Sequence, residues 1–535
     1  MLFTKINFRH LVIMVVLALL VAGFLHFQSP NIPDRDSLFY IRSAWLLRTN
    51  SLFDTQFPWT HFSSIGSLGS DLWYGGNFLL VPFTYFDNLF LGVKLAGTII
   101  TALLLIGFFW IMQRHNMGLK FFWPFFMLFA VPNALYQFLM LRPQTISFLF
   151  SLALFSLLAL GNWLGVFLAG AGLVFFHLNY FWIIILIAGV FSGFYFIRHL
   201  IINFYFKDSA FLEKEKFDWS KVLAVIAGGI MGWFLRPHPI SAVKLLYIQV
   251  IKLLVEKQSK LPLAFGTEWL PYSWRALFNA SSLFFLLWAA AIIFLAWSLY
   301  KYKDQILKFS FEKSFLLWGS LIISSAFFFM TVLIARKSLL SWVTFGALFI
   351  ACLYSYIVPV KFKQNFSAIL FIAFLFMFLN SSYKTGISML NSIPPDAYRE
   401  SALWLKENSR PGDIVFNTHW DDFSILFFWN QKNYYIGGLD PIFQYDYDPG
   451  LYWEYHFLSK GITDEFTCND KNCSPEGRKE TYKALMEDFN AKYIFIEQRR
   501  NPDLYSLLES DPRFKKEFLS KDNRETIFSI DGYHL

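Results

Sequence analysis

The sequence predicts a mainly α fold, a polytopic bundle of membrane helices carrying a small C-terminal α/β soluble domain. Three observations predict it. Of the 535 residues, 56% are hydrophobic and only 16% charged, too apolar for a soluble domain of this size. Apolar runs recur at the length, roughly 20 residues, that crosses a hydrocarbon core. The composition then turns polar at "NSIPPDAYRE", where two prolines stop a helix.

Eleven spans are expected, near 11–28, 89–112, 121–140, 143–161, 163–178, 180–197, 219–235, 277–300, 314–334, 338–358 and 366–383. The first also fits a signal peptide, with "VAG" at 21–23 as a cleavage site. Both readings deliver residue 29 to the same side. Basic residues resist translocation, so the connections holding Lys5 and Arg9, Arg114 and Lys120, Arg198 to Lys221, Lys301 to Lys313, and Lys361 with Lys363 are assigned to the cytoplasm. Residues 29–88, the corners at Arg142 and His177, the stretch 236–276, the corner at Arg336 and everything after 384 then face outward. A multi-pass protein of the plasma (inner) membrane is expected, its N-terminus cytoplasmic and its C-terminal domain extracytoplasmic. Residues 1–384 form the membrane domain, with external loops 29–88 and 236–276, and residues 385–535 the extracytoplasmic domain.

The net charge of +8 comes partly from cytoplasmic-loop lysines, which an anionic leaflet attracts. Membrane lipids are expected partners and nucleic acid is not. Cys352 lies inside a span. Cys468 and Cys473, in "CNDKNC", fit a disulfide closing a small loop in an oxidising compartment; zinc is the weaker reading, with no histidine in the loop.

In the polar tail, "DAYRESALWLKENS" reads as a helix, "DIVFN" as a strand, 421–430 as a helix and "NYYIGG" as a strand. "RKETYKALMEDFNA", "KYIFIE" and "NPDLYSLLES" continue as helix, strand and helix. This alternation predicts a partly parallel sheet. No phosphate-binding glycine fingerprint follows a strand, so nucleotide binding gains no support.

Asp34 and Asp36, in "NIPDRDSLFYIRSAWLL", are the candidate catalytic pair. Two apart in an extended segment, they would point the same way. Alternatively a helix begins at Ser37 and Asp36 caps it. The apolar spacing after Asp36 suits a helix along the membrane surface. "SAVKLLYIQVIKLLVEKQSK", 241–260, reads as an interfacial amphipathic helix that could gate a lipid site.

An acidic residue just after the first span, an external loop running to "SDLWYGGNFLLVPF", aromatic-rich spans and a soluble tail together resemble the GT-C superfamily of membrane glycosyltransferases. The stretch "AYRESALWLKENSRPGDIVFNTHWDDF" is similar to the start of the soluble domain of oligosaccharyltransferase catalytic subunits. There a helix and strand lead to a WWDYG motif that reads the acceptor. Trp420 and Asp421 are the matching residues here, and His419, Asp422 and Phe423 depart from the motif. The resemblance implies a polyprenyl-phosphate or pyrophosphate sugar donor, a lipid, glycan or protein acceptor, and Asp36 or Asp34 as base in an inverting transfer to a hydroxyl. It also implies a divalent cation, Mg or Mn, with Asp36 and Asp71 as its available ligands; the corner "LMLRPQ" lacks the acidic residues that complete the family's metal site.

Further outward-facing residues are candidates for substrate and lipid phosphate. Arg336 and Lys337 could hold a phosphate by charge-assisted hydrogen bonds or simply snorkel to the interface. Asp71 could face Asp36 or cap a helix. His177 lines a wet cavity or is a satisfied packing group. Glu268 stands beside Trp269, whose ring suits a sugar face. Two other functions share this architecture: a lipid or sugar transporter or flippase, marked by ionisable residues at mid-span, and a non-catalytic assembly factor for cell-envelope glycans, which would tolerate loss of both aspartates.

Overall fold

The computed structural model describes residues 7–206, 217–258, 266–460 and 480–530. They form two compact units: Met1–Pro33, Leu91–Arg236 and Thr267–Ser392 make the first, and Asp34–Phe90, Pro237–Gly266 and Ile393–Leu535 the second. The expected Cys468–Cys473 disulfide lies outside the described residues, as do Lys5 and Lys260.

The first unit is helical throughout. Among the described residues, eight helices are long and apolar enough to cross a membrane: Phe8–Phe27, Leu89–Arg114, Pro143–Leu160, Leu178–Phe204, Trp274–Leu307, Phe311–Leu333, Arg336–Tyr356 and Val360–Leu390. The count reaches ten if each of two interrupted pairs is one span, against the eleven expected. Proline accounts for both interruptions. Pro132 pushes Val131 into extended backbone (φ −143°, ψ 128°), so the run near 121–140 becomes Phe122–Phe129 and Pro132–Leu139, bent by 99°. In "RPHP", Trp219–Phe234 stops and the helix resumes at Pro239, after His238 at φ 48°. The run at 163–178 is Trp163–Phe176, with 14 residues. At 1.5 Å per residue that is roughly 21 Å, shorter than a hydrocarbon core.

Glycine sets the closest helix contact in this unit. A Cβ on Gly228 would lie 2.2 Å from the Phe167 carbonyl oxygen, and one on Gly232 2.1 Å from that of Ala171. Trp163–Phe176 and Trp219–Phe234 therefore pack backbone to backbone, as small residues four apart allow between membrane helices. Cys352 is buried and unpaired within Arg336–Tyr356, as a small packing residue.

The second unit is built on a five-stranded sheet of order β2-β1-β3-β5-β4, with β1 Ile414–Asn417, β2 Tyr434–Tyr435, β3 Ala491–Glu497, β4 Phe514–Leu519 and β5 Glu525–Ile530. β2, β1 and β3 are parallel; β5 runs antiparallel to both β3 and β4. The expected helices appear as Arg399–Asn408, Phe423–Trp429, Thr481–Lys483 continuing to Asp488, and Pro502–Ser510. The first long loop extends the sheet edge. Thr60 bridges Tyr435, and the Tyr435 N–H donates to the Trp59 carbonyl at 2.8 Å.

Helix Asp36–Thr49 is present, but protein covers its apolar side where a membrane-surface helix was expected. Eight of its 14 residues are buried, and Phe39 packs against Phe57, Trp73, Phe423 and Phe427. The amphipathic segment forms Pro239–Leu246, Tyr247–Lys252 and Leu253–Gln258. Its Gln249 donates to Asp440 at 2.8 Å and its Lys252 to Asp446 at 2.7 Å, which pins it to the tail.

Candidate functional site

Within the first unit, corners far apart in sequence converge. Arg142 precedes helix Pro143–Leu160 in extended backbone, imposed by the following proline. Its Nη1 donates to Glu268 at 2.7 Å. Glu268 and Trp269 lie on the short turn Thr267–Trp269. This turn meets the Arg336–Ser338 turn, whose Arg336 N–H donates to the Leu270 carbonyl at 2.9 Å. Lys337 Nζ sits over the Trp269 ring. Arg236 is buried and donates to the Val174 and Phe175 carbonyls at 2.7 and 3.0 Å, a cation at the C-terminal end of helix Trp163–Phe176, where the dipole favours it.

These charges act on one another. Partial burial opposes ionisation of Glu268, but Arg142, through charge and hydrogen bond, and then Lys337 outweigh it, so the carboxyl is held below its ordinary value. Burial, followed by the positive charges of Lys337 and Arg236, pushes the imidazole of His177, in the corner after Phe176, down to about 3. His177 is therefore neutral at physiological pH, and its buried Nδ1 has no hydrogen-bond partner among the described residues. Arg336 makes different contacts from Lys337. Its guanidinium lies 5.0 Å from the centre of the Tyr272 ring and reaches the Pro271 carbonyl.

The second unit carries the acidic candidates. The helix starts at Asp36 itself, with Arg35 at its N-cap position, so Asp34 and Asp36 are not an extended pair on one face. Asp34 is buried and accepts from the Ser37 hydroxyl. Asp36 is half-buried in the first helical turn, where a negative charge is favoured by about 0.3–1 kcal/mol. Asp71 accepts from the Trp73 N–H and the Asn77 amide, each at 2.7 Å, which is the turn-forming role at the start of helix Tyr74–Leu80. Among the described residues, no three His, Cys, Asp or Glu side chains form a group that could hold a metal. Asp36 and Asp71 thus belong to no such set.

Trp420 packs against the core of the tail. Asp421 is paired with Arg500 at 2.8 Å and with Arg35 at 3.3 Å. Burial opposes its ionisation, but these two arginines outweigh the effect and hold its carboxyl low. Sequence reasoning missed Arg35, Arg142, Arg236 and Arg500. For Arg142 the signal was available: a lone arginine fixed by a following proline in a corner assigned to the same side as 177, 268 and 337.

No family model matches the chain, and no curated protein sequence does. Solved structures do. The apo Archaeoglobus fulgidus oligosaccharyltransferase aligns over 98% of this chain and 75% of its own, with a TM-score of 0.57 and 13% identity. The same enzyme tethered to an acceptor peptide aligns with a TM-score of 0.55 and 14% identity, over 98% and 74%. This chain shares the fold of that oligosaccharyltransferase. The mycobacterial arabinofuranosyltransferase AftD shares that fold, with a TM-score of 0.55 and 13% identity over 99% of this chain, which spans only 40% of AftD. At such identities the likeness defines architecture, a bundle of apolar helices with a sheet-bearing tail, and leaves chemistry to the side chains.

Proposed function

We propose that this chain is an integral-membrane glycosyltransferase. It moves a sugar from a polyprenyl phosphate or pyrophosphate donor to a hydroxyl acceptor on the extracytoplasmic face, inverting the anomeric centre. The observation that carries this reading is the basic corner of the membrane unit, where Arg142 and Lys337 act on the Glu268 carboxylate and, together with Arg236, on His177. Cations gathered at the ends of membrane helices are suited to hold an anion by charge-assisted hydrogen bonds. A phosphate on an isoprenoid tail supplies the anion and places it in the bilayer. The Nδ1 of His177, without a hydrogen-bond partner among the described residues, is a further polar atom for such a ligand to satisfy.

In the proposed reaction a carboxylate from the start of helix Asp36–Thr49 takes the proton of the acceptor hydroxyl. The acceptor oxygen attacks the anomeric carbon, and the bond from that carbon to the phosphate oxygen breaks. The electron pair leaves on the phosphate, whose charge a cationic group stabilises. Asp36 is preferred to Asp34 as base, because Asp34 is buried against Ser37. Arg336 is assigned to framing the corner through Tyr272 and Pro271. A divalent cation, Mg or Mn, remains a proposal of the resemblance.

Transfer assays in proteoliposomes with polyprenyl-phosphate sugars test the reading. Combined Lys337→Ala and Arg142→Ala should raise the donor KM at least tenfold in a protein that still purifies as a folded monodisperse species. An unchanged donor KM would remove the basic corner from the account.

A further inference from the structure

The tail stretch "HWDDF" invites comparison with an acceptor-reading motif, yet its carboxylates are already engaged. Asp422 is fully buried, and its Oδ1 accepts three hydrogen bonds: from Arg35 Nη1 at 2.8 Å, Arg500 Nη1 at 2.6 Å and the Tyr398 hydroxyl at 2.9 Å. Its Oδ2 is also buried, with no surface open to an incoming hydroxyl. Asp421 accepts from Arg500 Nη2 at 2.8 Å and pairs with Arg35 at 3.3 Å. Two arginines thus neutralise two aspartates. The Tyr398 hydroxyl also contacts Glu497 on β3 at 2.9 Å, which ties the cluster to the sheet.

Arg35 connects this cluster to the proposed chemistry. It stands between Asp34 and Asp36, at the N-cap position of helix Asp36–Thr49, and it makes no side-chain cap bond there. Its guanidinium instead reaches the Asp422 carboxylate, 387 residues away in sequence, and lies 5.8 Å from the centre of the Tyr398 ring. A planar, forked cation can bridge two carboxylates and keep its orientation, which a lysine ammonium cannot. One bond fixed at the N-cap sets where the first helical turn points, and Asp36 is in that turn.

We infer that Asp421 and Asp422 form a latch that, through Arg35 and Arg500, holds the Asp34–Arg35–Asp36 segment in its working conformation. The stretch is a set of positioning residues for the base and does not read the acceptor. This rests on the reading of Asp36 or Asp34 as base. It adds a prediction of its own: the stretch governs turnover, and acceptor affinity is set elsewhere.

Two readouts on the detergent-purified full chain test it. Hydrogen exchange follows the amides of residues 34–49 and, separately, those of β1 and β3; transfer kinetics give kcat and the acceptor KM. For Arg35→Gln and Asp422→Asn, exchange in 34–49 should accelerate at least tenfold while β1 and β3 keep their protection. kcat should fall at least tenfold with the acceptor KM changed less than twofold, and Arg35→Lys should recover only part of either loss. If Asp422→Asn also strips protection from β1 and β3, Arg35→Gln decides, since Arg35 lies outside the sheet. Unchanged exchange in 34–49 with Arg35→Gln overturns the latch, as does a raised acceptor KM at preserved kcat. If the wild-type chain transfers no sugar, the proposed function fails, and the exchange measurement still decides whether the latch exists.

Discussion

Asp36 and Asp34 differ in what surrounds them, and that difference is testable one residue at a time. A general base contributes about 100- to 10,000-fold in rate, so Asp36→Asn should lose activity within that range while retaining the elution profile and helicity of the parent. Asp34→Asn should cost less, through a weakened contact with Ser37. Equal activity of Asp36→Asn and wild type in the same proteoliposomes would rule out Asp36 as base. A second residue reports on pH. Burial, and then the nearby charges of Asp522, Glu497 and Glu400, raise the Glu525 carboxyl to about 7 despite its bond from Ser401; Glu497 lies directly across the ladder from it. Its folded-state value exceeds its unfolded value, so between pH about 4.5 and 7 the unfolded chain releases a proton that the folded tail retains. Stability falls across that window and is level above it. Thermal unfolding of the full-length protein at pH 5 and pH 8 should therefore show a loss at pH 8 that Glu525→Gln reduces; an identical loss in the variant would place its origin elsewhere.

Elements formed where the residue pattern was strong, and their limits followed local chemistry. Helix Arg399–Asn408, β1 and β3 were legible because apolar periodicity, prolines and polar turns agreed. β4 and β5 were not. "FKKEFL" presents Lys515 and Lys516 to solvent on an edge strand, a pattern that protects edges and erases the strand signal. The broken spans were foreshadowed by Pro132 and by "RPHP", but hydropathy averages over a single proline. Glycine spacing gives the element-scale prediction. Gly232→Leu should separate Trp163–Phe176 from Trp219–Phe234, because even a Cβ there meets backbone, which cannot yield as a side chain does. Yield of folded protein should drop and its melting temperature fall by several degrees. Gly189→Leu, where no atom lies within 4 Å of the added Cβ, should leave both unchanged. Equal stability of the two variants would contradict the close packing.

Across the molecule each compact unit carries its own charged cluster: the helical unit has Arg142, Glu268 and Lys337 on its corners, and the sheet-bearing unit has Asp421 and Asp422 with their arginine partners. The charge bias of the loops sorted Arg142, His177, Glu268 and Lys337 to one side from sequence alone, and the fold brings these residues together. What sequence did not disclose were the partners of each charge, because Arg35 and Asp422, or Arg142 and Glu268, meet only through tertiary structure. We propose above that this membrane bundle holds a sugar on an isoprenoid phosphate. Native mass spectrometry of the protein, extracted in mild detergent and released from its lipids in the gas phase, tests it most directly. A co-purifying mass that fragments to a polyprenyl phosphate and a glycosyl unit, and is depleted in the Lys337→Ala and Arg142→Ala double variant, is the expected result. Only bulk phospholipid, bound equally by wild type and variant, would contradict it.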